Sequence, residues 1–500
     1  MPALDLILPF VVLFAVFTFL GFYGSRWRKG NLDQLHDWAL AGRKLGTTLS
    51  FFLVGADLYT AYTFVALPSS IFVKGSLYFY AVPYTAVTFG VALVFAPKLW
   101  AVSRKNGYVT ASDFVKDRFT SRTLSILVAI TGIVAVTPYI ALQIVGMQAI
   151  LSAMFVWAGV SATNIEQLSL VGVIVILAAF THTSGLRGAT LTAVFKSILI
   201  WPSIVVVIVA VILKLGGNFD VAFSNAPTKY LALSSPLVPS YVTLVIGSAL
   251  ALYLYPHAVN GILSSESEHK LRLSTSLLPI NGIGLALLGL LGVMINSIPS
   301  AMQFLSNFPS SSQGIYVVPS LVLNLLPDWL AGIVLLAIFV GGLVPAAIMA
   351  IAQSTMLARN IVKEVKPNLS NKTETDIAKW SSVAFKFIAL GFVFIVPASF
   401  AIELQLLGGI LILQLMPSLF IGLYSNWFRK EGLIAGLLLG IVSGILLAIM
   451  ANNFGQLNTS LFSTPFASLY IGVISLALNF VIATAISVAL PRRVGRMNQA

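Results

Sequence analysis

The chain contains no cysteine, which excludes disulfides, iron–sulfur clusters and thiol catalysis. It is also poor in charge. Asp, Glu, Lys and Arg make up 9% of its 500 residues and hydrophobic types 58%, whereas soluble domains are roughly 25% charged. That balance excludes a soluble domain and implies a polytopic helical membrane protein. Acidic residues are the scarcer sign, 16 against 29 basic, for a formal charge of +13. In a soluble protein this excess would suggest nucleic acid. Here the basic residues lie in loops between apolar runs, so no nucleic-acid partner is expected. Long polar segments are missing too: the longest connections, roughly 217–240, 297–329 and 359–379, are too short for a soluble domain. The chain shows no nucleophile–base pair and no cluster of metal-ligating types. An enzyme, a bound cofactor and an obligate protein partner are therefore not expected.

Apolar runs long enough to cross a bilayer fall at roughly 4–24, 47–72, 77–99, 123–157, 168–184, 189–215, 241–263, 274–296, 330–358, 380–400, 404–424, 432–451 and 467–490. They predict about thirteen helices. The fourth run is over-long, so tilt or an extension beyond the membrane is expected. The first lacks a basic flank and a small-residue cleavage site and reads as a retained helix. The alternate loops that begin with Arg26, Arg43 and Lys44 collect nearly all the basic residues. The opposite loops hold only Lys74, Lys214 and Lys229, and Lys196 and Lys386 fall inside predicted helices. The positive-inside rule then places the N-terminus outside and the C-terminus in the cytoplasm of a multi-pass cell-membrane protein.

Asp57 stands in the second run, in Gly55-Ala56-Asp57-Leu58-Tyr59-Thr60-Ala61-Tyr62-Thr63-Phe64. A carboxylate at that depth is costly unless paired, so it marks a functional site by default. The small and hydroxylated neighbours suggest that the helix unwinds there. The seventh run carries Tyr253-Leu254-Tyr255-Pro256-His257, and Pro256 removes a backbone donor. A structural kink at Pro256 is the plain alternative. Two interrupted helices, each opening a five-helix block of opposite orientation, predict an inverted repeat over 47–215 and 241–424 with a midplane binding site.

The segment Asp37-Trp38-Ala39-Leu40-Ala41-Gly42-Arg43-Lys44-Leu45-Gly46 resembles the leading motif of the sodium:solute symporter family. Thr110-Ala111-Ser112-Asp113-Phe114-Val115, Pro138-Tyr139-Ile140-Ala141-Leu142-Gln143 and Ser184-Gly185-Leu186-Arg187 resemble further landmarks of it, and the likeness runs over about 38–425. The stretch around Asp57, together with Tyr255-Pro256-His257, Pro345-Ala346-Ala347-Ile348-Met349 and Gln405-Leu406-Leu407-Gly408-Gly409, is most similar to the monocarboxylate permease branch. The resemblance implies a leucine-transporter-type core and ion-coupled uptake of a small organic solute such as lactate or pyruvate. A sodium-coupled, proline-like amino-acid symporter is the alternative within the class, and a passive channel or facilitator the alternative outside it. Sodium-coupled members are expected to place a Ser/Thr pair where this chain has Ala350 and Ile351. The hydroxyls left nearby belong to Ser354 and Thr355. Hard cations want oxygen ligands, so the usual sodium site is impoverished.

The expected substrate-binding residues are Asp57, Tyr59, Thr60, Tyr62, Thr63, Tyr139, Gln143, Tyr255 and His257, and the expected ion-coupling set is Ala56, Asp57, Tyr59, Lys196, Ala350 and Ser354. The Lys196 ammonium replaces the missing sodium in one reading and pairs statically with Asp57 in a second. In a third it reaches the interface as a snorkelling lysine. The coupling ion is H+ or Na+ accordingly. His257 either meets a substrate carboxylate or caps broken-helix carbonyls. Lys386 is expected at the inner surface. Gly42-Arg43-Lys44-Leu45-Gly46 lacks the spacing of a nucleotide phosphate loop.

Overall fold

The structure is a computed structural model describing residues 2–28, 30–160, 163–224, 226–395, 401–453 and 458–490. Lys29, the end of the run at 380–400, and Arg492, Arg493 and Arg496 lie outside these residues. The protein is an all-α membrane protein. Eleven helices among the described residues are long and apolar enough to cross a bilayer. The expected count of thirteen differs from this at two places. The second expected span is interrupted, and its first half, Thr47–Ala56, is too short to qualify. The fifth and sixth spans form one helical run, Thr163–Lys214, bent at Gly185 with φ 55°. Only glycine fits there, because a Cβ would stand 2.3 Å from the Trp38 carbonyl oxygen.

Helix Asp328–Met356 is buried along almost its whole length. It is packed against Pro2–Tyr23, Arg122–Trp157, Thr163–Lys214 and Asn371–Ile395. Its sequence explains the position: between Trp329 and Gln353 every residue is apolar or glycine, so no face is suited to water. The two interrupted helices lie side by side. A parallel bridge joins Leu45, ahead of the first, to Ser265, beyond the second, with Leu45 N–H donating to Ser264 O (3.2 Å) and Glu266 N–H to Leu45 O (2.9 Å).

Connections read as polar loops contain short helices, Phe219–Ser224, Pro299–Leu305 and Val317–Leu325. The link between Lys430–Ala451 and Ile471–Ala489 forms an antiparallel hairpin with Phe462 opposite Leu469. The leading motif is anchored by a buried ion pair, Arg187 to Asp37 at 3.1 Å. The Trp38 indole donates to Thr181 O at 3.2 Å. Lys386 is a correction. It lies 0% exposed within the bundle, its ammonium on Ser382 Oγ (2.8 Å) and Ser382 O (3.1 Å) one turn back.

Candidate functional site

The first interruption begins where helix Thr47–Ala56 ends. The amides of Asp57, Leu58 and Tyr59 fold back onto Val54 O and Gly55 O. That leaves the Ala56 carbonyl without an intrahelical partner, as the last turn of any helix does. The chain resumes through a π turn, Tyr62–Ala66, into Leu67–Lys74. Side chains close the restart. Gln143 Oε1 accepts from Ala61 N–H at 3.0 Å, and Thr60 Oγ1 accepts from Tyr62 N–H at 3.0 Å. The Thr60 carbonyl takes Thr63 N–H and Phe64 N–H. Thr63 donates its hydroxyl to Leu58 O. Tyr59 turns away, its hydroxyl on Asn281 O (3.0 Å) and its ring edge-on to Trp201.

Thr60, Thr63, Gln143 and Tyr59, expected as substrate ligands, are thus occupied in holding the interruption open. Asp57 behaves differently. It is 8% exposed, and its Oδ1 has no hydrogen-bond partner.

Lys196 reaches this interruption from the long bent helix. It is 0% exposed, so it does not snorkel. Its ammonium donates to Ala56 O at 2.7 Å and to Gly341 O at 3.1 Å. It makes no ion pair with Asp57 among the described residues, although the two charges interact through space. A direct Asp57–Lys196 pair is therefore corrected to a lysine held by two backbone carbonyls. Both carbonyls are free for a reason written in the chain. Ala56 ends a helix, and Gly341 lies four residues before Pro345, which has no N–H to return to it. A Cβ on Gly341 would lie 3.8 Å from the Tyr59 carbonyl oxygen and 3.9 Å from the Ile200 side chain, so three helices converge there.

Ala350 and Ser354 do not join this cluster. They lie roughly nine and thirteen residues beyond Gly341, about 13 and 20 Å along the helix. Ser354 Oγ donates to Ile351 O at 2.9 Å. The side chains one turn from Gly341 are Val344 and Pro345, which offer no oxygen.

The second interruption separates Val238–Leu252 from Pro256–Leu263. Tyr255 is extended there (φ −64°, ψ 138°) and supplies no side-chain cap. Pro256 occupies the first helical position, where its missing N–H costs nothing. The amides of His257 and Ala258 find no acceptor among the described residues. His257 is 0% exposed with both ring nitrogens unpartnered, so it caps no carbonyl. Its ring lies against Tyr139 and Tyr255 at centroid distances of 5.6 and 5.3 Å. Tyr255 donates to Gln405 O at 3.2 Å. Gly408 lets that tyrosine in, since a Cβ there would be 2.9 Å from its hydroxyl. Tyr62 donates to Tyr80 at 3.4 Å, and Tyr80 continues to Tyr84 and Tyr78.

Five residues were not read from the sequence as parts of the site. Gly341 and Pro345 gave no polar signal. The Gln405 Oε1 and Asn260 Nδ2 atoms are buried and unpartnered. Glu403 is buried against Lys74 and Tyr78, each at 2.9 Å. That contact joins the Lys74 end of the first interrupted helix to helix Ala401–Ile412. It brings together residues more than three hundred positions apart, and no local pattern announces it.

Two adjacent interrupted helices, one presenting carbonyls to a cation and the other amides and an imidazole, define an integral-membrane solute carrier. The sodium:solute symporter family profile matches residues 38–440. The chain is 38% identical over 492 residues to a monocarboxylate transport permease protein of Rhizobium johnstonii, covering 97% of this chain and 96% of that one. It is 32% identical over 445 residues to an uncharacterized symporter, YodF, of Bacillus subtilis, covering 87% and 86%. Its fold matches that of a Na+-coupled sialic acid symporter with a TM-score of 0.75 at 14% identity, over 97% of both chains. The protein belongs to the sodium:solute symporter family and is a secondary transporter of the membrane.

Proposed function

We propose that the protein takes up a small monocarboxylate by alternating access, and that the Lys196 ammonium stands where a sodium ion would otherwise sit. The observation that carries the coupling half is the pair of bonds from Lys196 to Ala56 O and Gly341 O. Backbone carbonyls on two helices, released by a helix end and by a proline, are what a monovalent cation would use. Here a covalently attached cation uses them. With Val344 and Pro345 alongside, the donor set does not fit sodium. Loss of a proton from Lys196 removes the charge that strengthens both hydrogen bonds, and so loosens the first interrupted helix from helix Asp328–Met356. That coupling would let a proton gradient drive the cycle.

The substrate half rests on the second interruption. The free His257 and Ala258 amides, the helix N-terminus and the imidazole together suit one carboxylate. Tyr139 and Tyr255 supply aromatic surface for a short carbon chain. The 38% identical permease, whose name specifies monocarboxylates, supports that substrate class. In this reading the two interrupted helices open repeats spanning 47–215 and 241–424, and the basic face is cytoplasmic.

Family membership and the Na+-coupled structural relative favour a second reading, in which sodium binds at oxygens elsewhere and Lys196 is a fixed strut. The test is uptake of labelled lactate or pyruvate into proteoliposomes, with pH and sodium gradients imposed separately. Accumulation under the pH gradient alone is expected. A strict requirement for sodium would overturn the lysine reading, and no uptake of either acid would overturn the substrate class.

A further inference from the structure

A cavity of about 490 Å³ opens on the basic face, away from both interruptions, and three of its walls are guanidinium groups: Arg43, Arg104 and Arg359. His36 and a single carboxylate, Glu374, also line it. Arg359 is compensated, with Asp113 at 3.5 Å and Glu374 at 3.3 Å. Arg43 is not. It is 8% exposed, and its hydrogen bonds go to the neutral carbonyls Ser103 O and Tyr108 O. Arg104 lines the cavity as an exposed residue and has neither an ion pair nor a hydrogen bond among the described residues.

The positive-inside rule accounts for basic residues being in this loop, but not for how Arg43 is held. Topology needs a charge in the loop; it needs no burial. Yet Ala41, Gly42 and Arg43 are three consecutive residues with φ of 50°, 65° and 55°, a conformation that alanine and arginine rarely adopt. That turn carries the Arg43 side chain inward beside Arg104. Burial, and next the Arg104 charge, pull Arg43 below its ordinary range, while Asp113 pulls the other way. Two cations are thus brought together with too little negative charge around them. The segment is the Gly42–Gly46 stretch that lacks a nucleotide-loop spacing.

We propose that this cavity binds a multiply charged phosphate-type oxyanion, held by Arg43, Arg104 and Arg359. Planar guanidinium forks match phosphate oxygens in pairs. Two uncompensated positive charges call for a ligand of charge −2 or more, which separates it from a transported monocarboxylate. The oxyanion comes from a free phosphate compound or from the headgroup of an anionic lipid at the same face.

The experiment is thermal unfolding of the full-length protein in nanodiscs of zwitterionic lipid, titrated with inorganic pyrophosphate against sodium chloride of equal ionic strength. A midpoint rise of roughly 2–4 °C is expected with pyrophosphate alone. Arg104→Glu should weaken the apparent affinity by about tenfold or more, while Lys105→Glu, the same charge change next door, should not. Arg104 bonds to nothing, so this variant leaves the fold intact, whereas Arg43→Gln would also free the Ser103 and Tyr108 carbonyls. In discs containing cardiolipin, whose headgroup carries two phosphates, a raised midpoint that pyrophosphate no longer lifts, and that Arg104→Glu lacks, identifies the lipid headgroup. A pyrophosphate response that persists there identifies the free anion. No response in either disc, or an equal response in Arg104→Glu, overturns the proposal.

Discussion

The two interrupted helices lie side by side and do opposite things with their backbone. The first closes its own amides: Gln143 and Thr60 satisfy Ala61 and Tyr62, and the Thr60 carbonyl takes the next two. What it leaves open is a carbonyl, Ala56 O, and a cation takes it. The second closes nothing at its restart. Pro256 has no donor, and the next two amides and the His257 ring remain unpartnered among the described residues. A helix C-terminus attracts positive charge and an N-terminus negative charge. In the proposed reading the same device, a broken helix, yields a cation site or an anion site according to which end is capped.

The largest effect expected is at the cation end. Lys196→Gln should reduce pH-driven accumulation by roughly tenfold or more, the scale of a lost coupling free energy of 1–3 kcal/mol, while downhill exchange across the membrane survives. Undiminished accumulation would make Lys196 a strut and dissolve the contrast between the interruptions. Next comes the anion end. His257→Ala should raise the KM for lactate by about ten- to a hundredfold, as expected when a hydrogen bond to a charged group is lost. Coupling should be unaffected; an unchanged KM would move the carboxylate elsewhere.

Gln143→Leu separates holding from binding. It leaves Ala61 N–H buried without a partner, which costs about 1–3 kcal/mol, so the protein should unfold at lower temperature. The KM should rise less than in His257→Ala, and the reverse ranking would restore Gln143 as a ligand. The smallest effect belongs to Ser354→Ala, far down its helix from Gly341. Ser354 is buried but bonds only to its own helix at Ile351 O, so stability should fall by about 0.5–1.5 kcal/mol, and the choice of driving ion should not change. A shift in sodium dependence there would show that the ion uses the lower part of helix Asp328–Met356.

Which residues could be read from the chain follows from physics. Asp57, Lys196 and Pro256 stand out because each is expensive in a bilayer or a helix, and expense shows in a linear string. Gln143 was legible as polar but not as a clamp, since its partner Ala61 lies 82 residues away. Ala350 and Ser354 were misplaced because a motif locates a helix without locating the turn that meets its neighbour. Lys386 was expected at the interface from its distance to the helix end. Its burial depends on the three helices packed around that end.

The sequence by itself determined the solvent, the basic face and the two places where helices must break, because each follows from local cost: charge in hydrocarbon and a missing N–H. Only the tertiary structure decided what those breaks hold. Ala56 O, Gly341 O and Lys196 Nζ come from three helices, and an apolar residue's carbonyl carries no signature in the chain until packing decides whether anything is left to bond it.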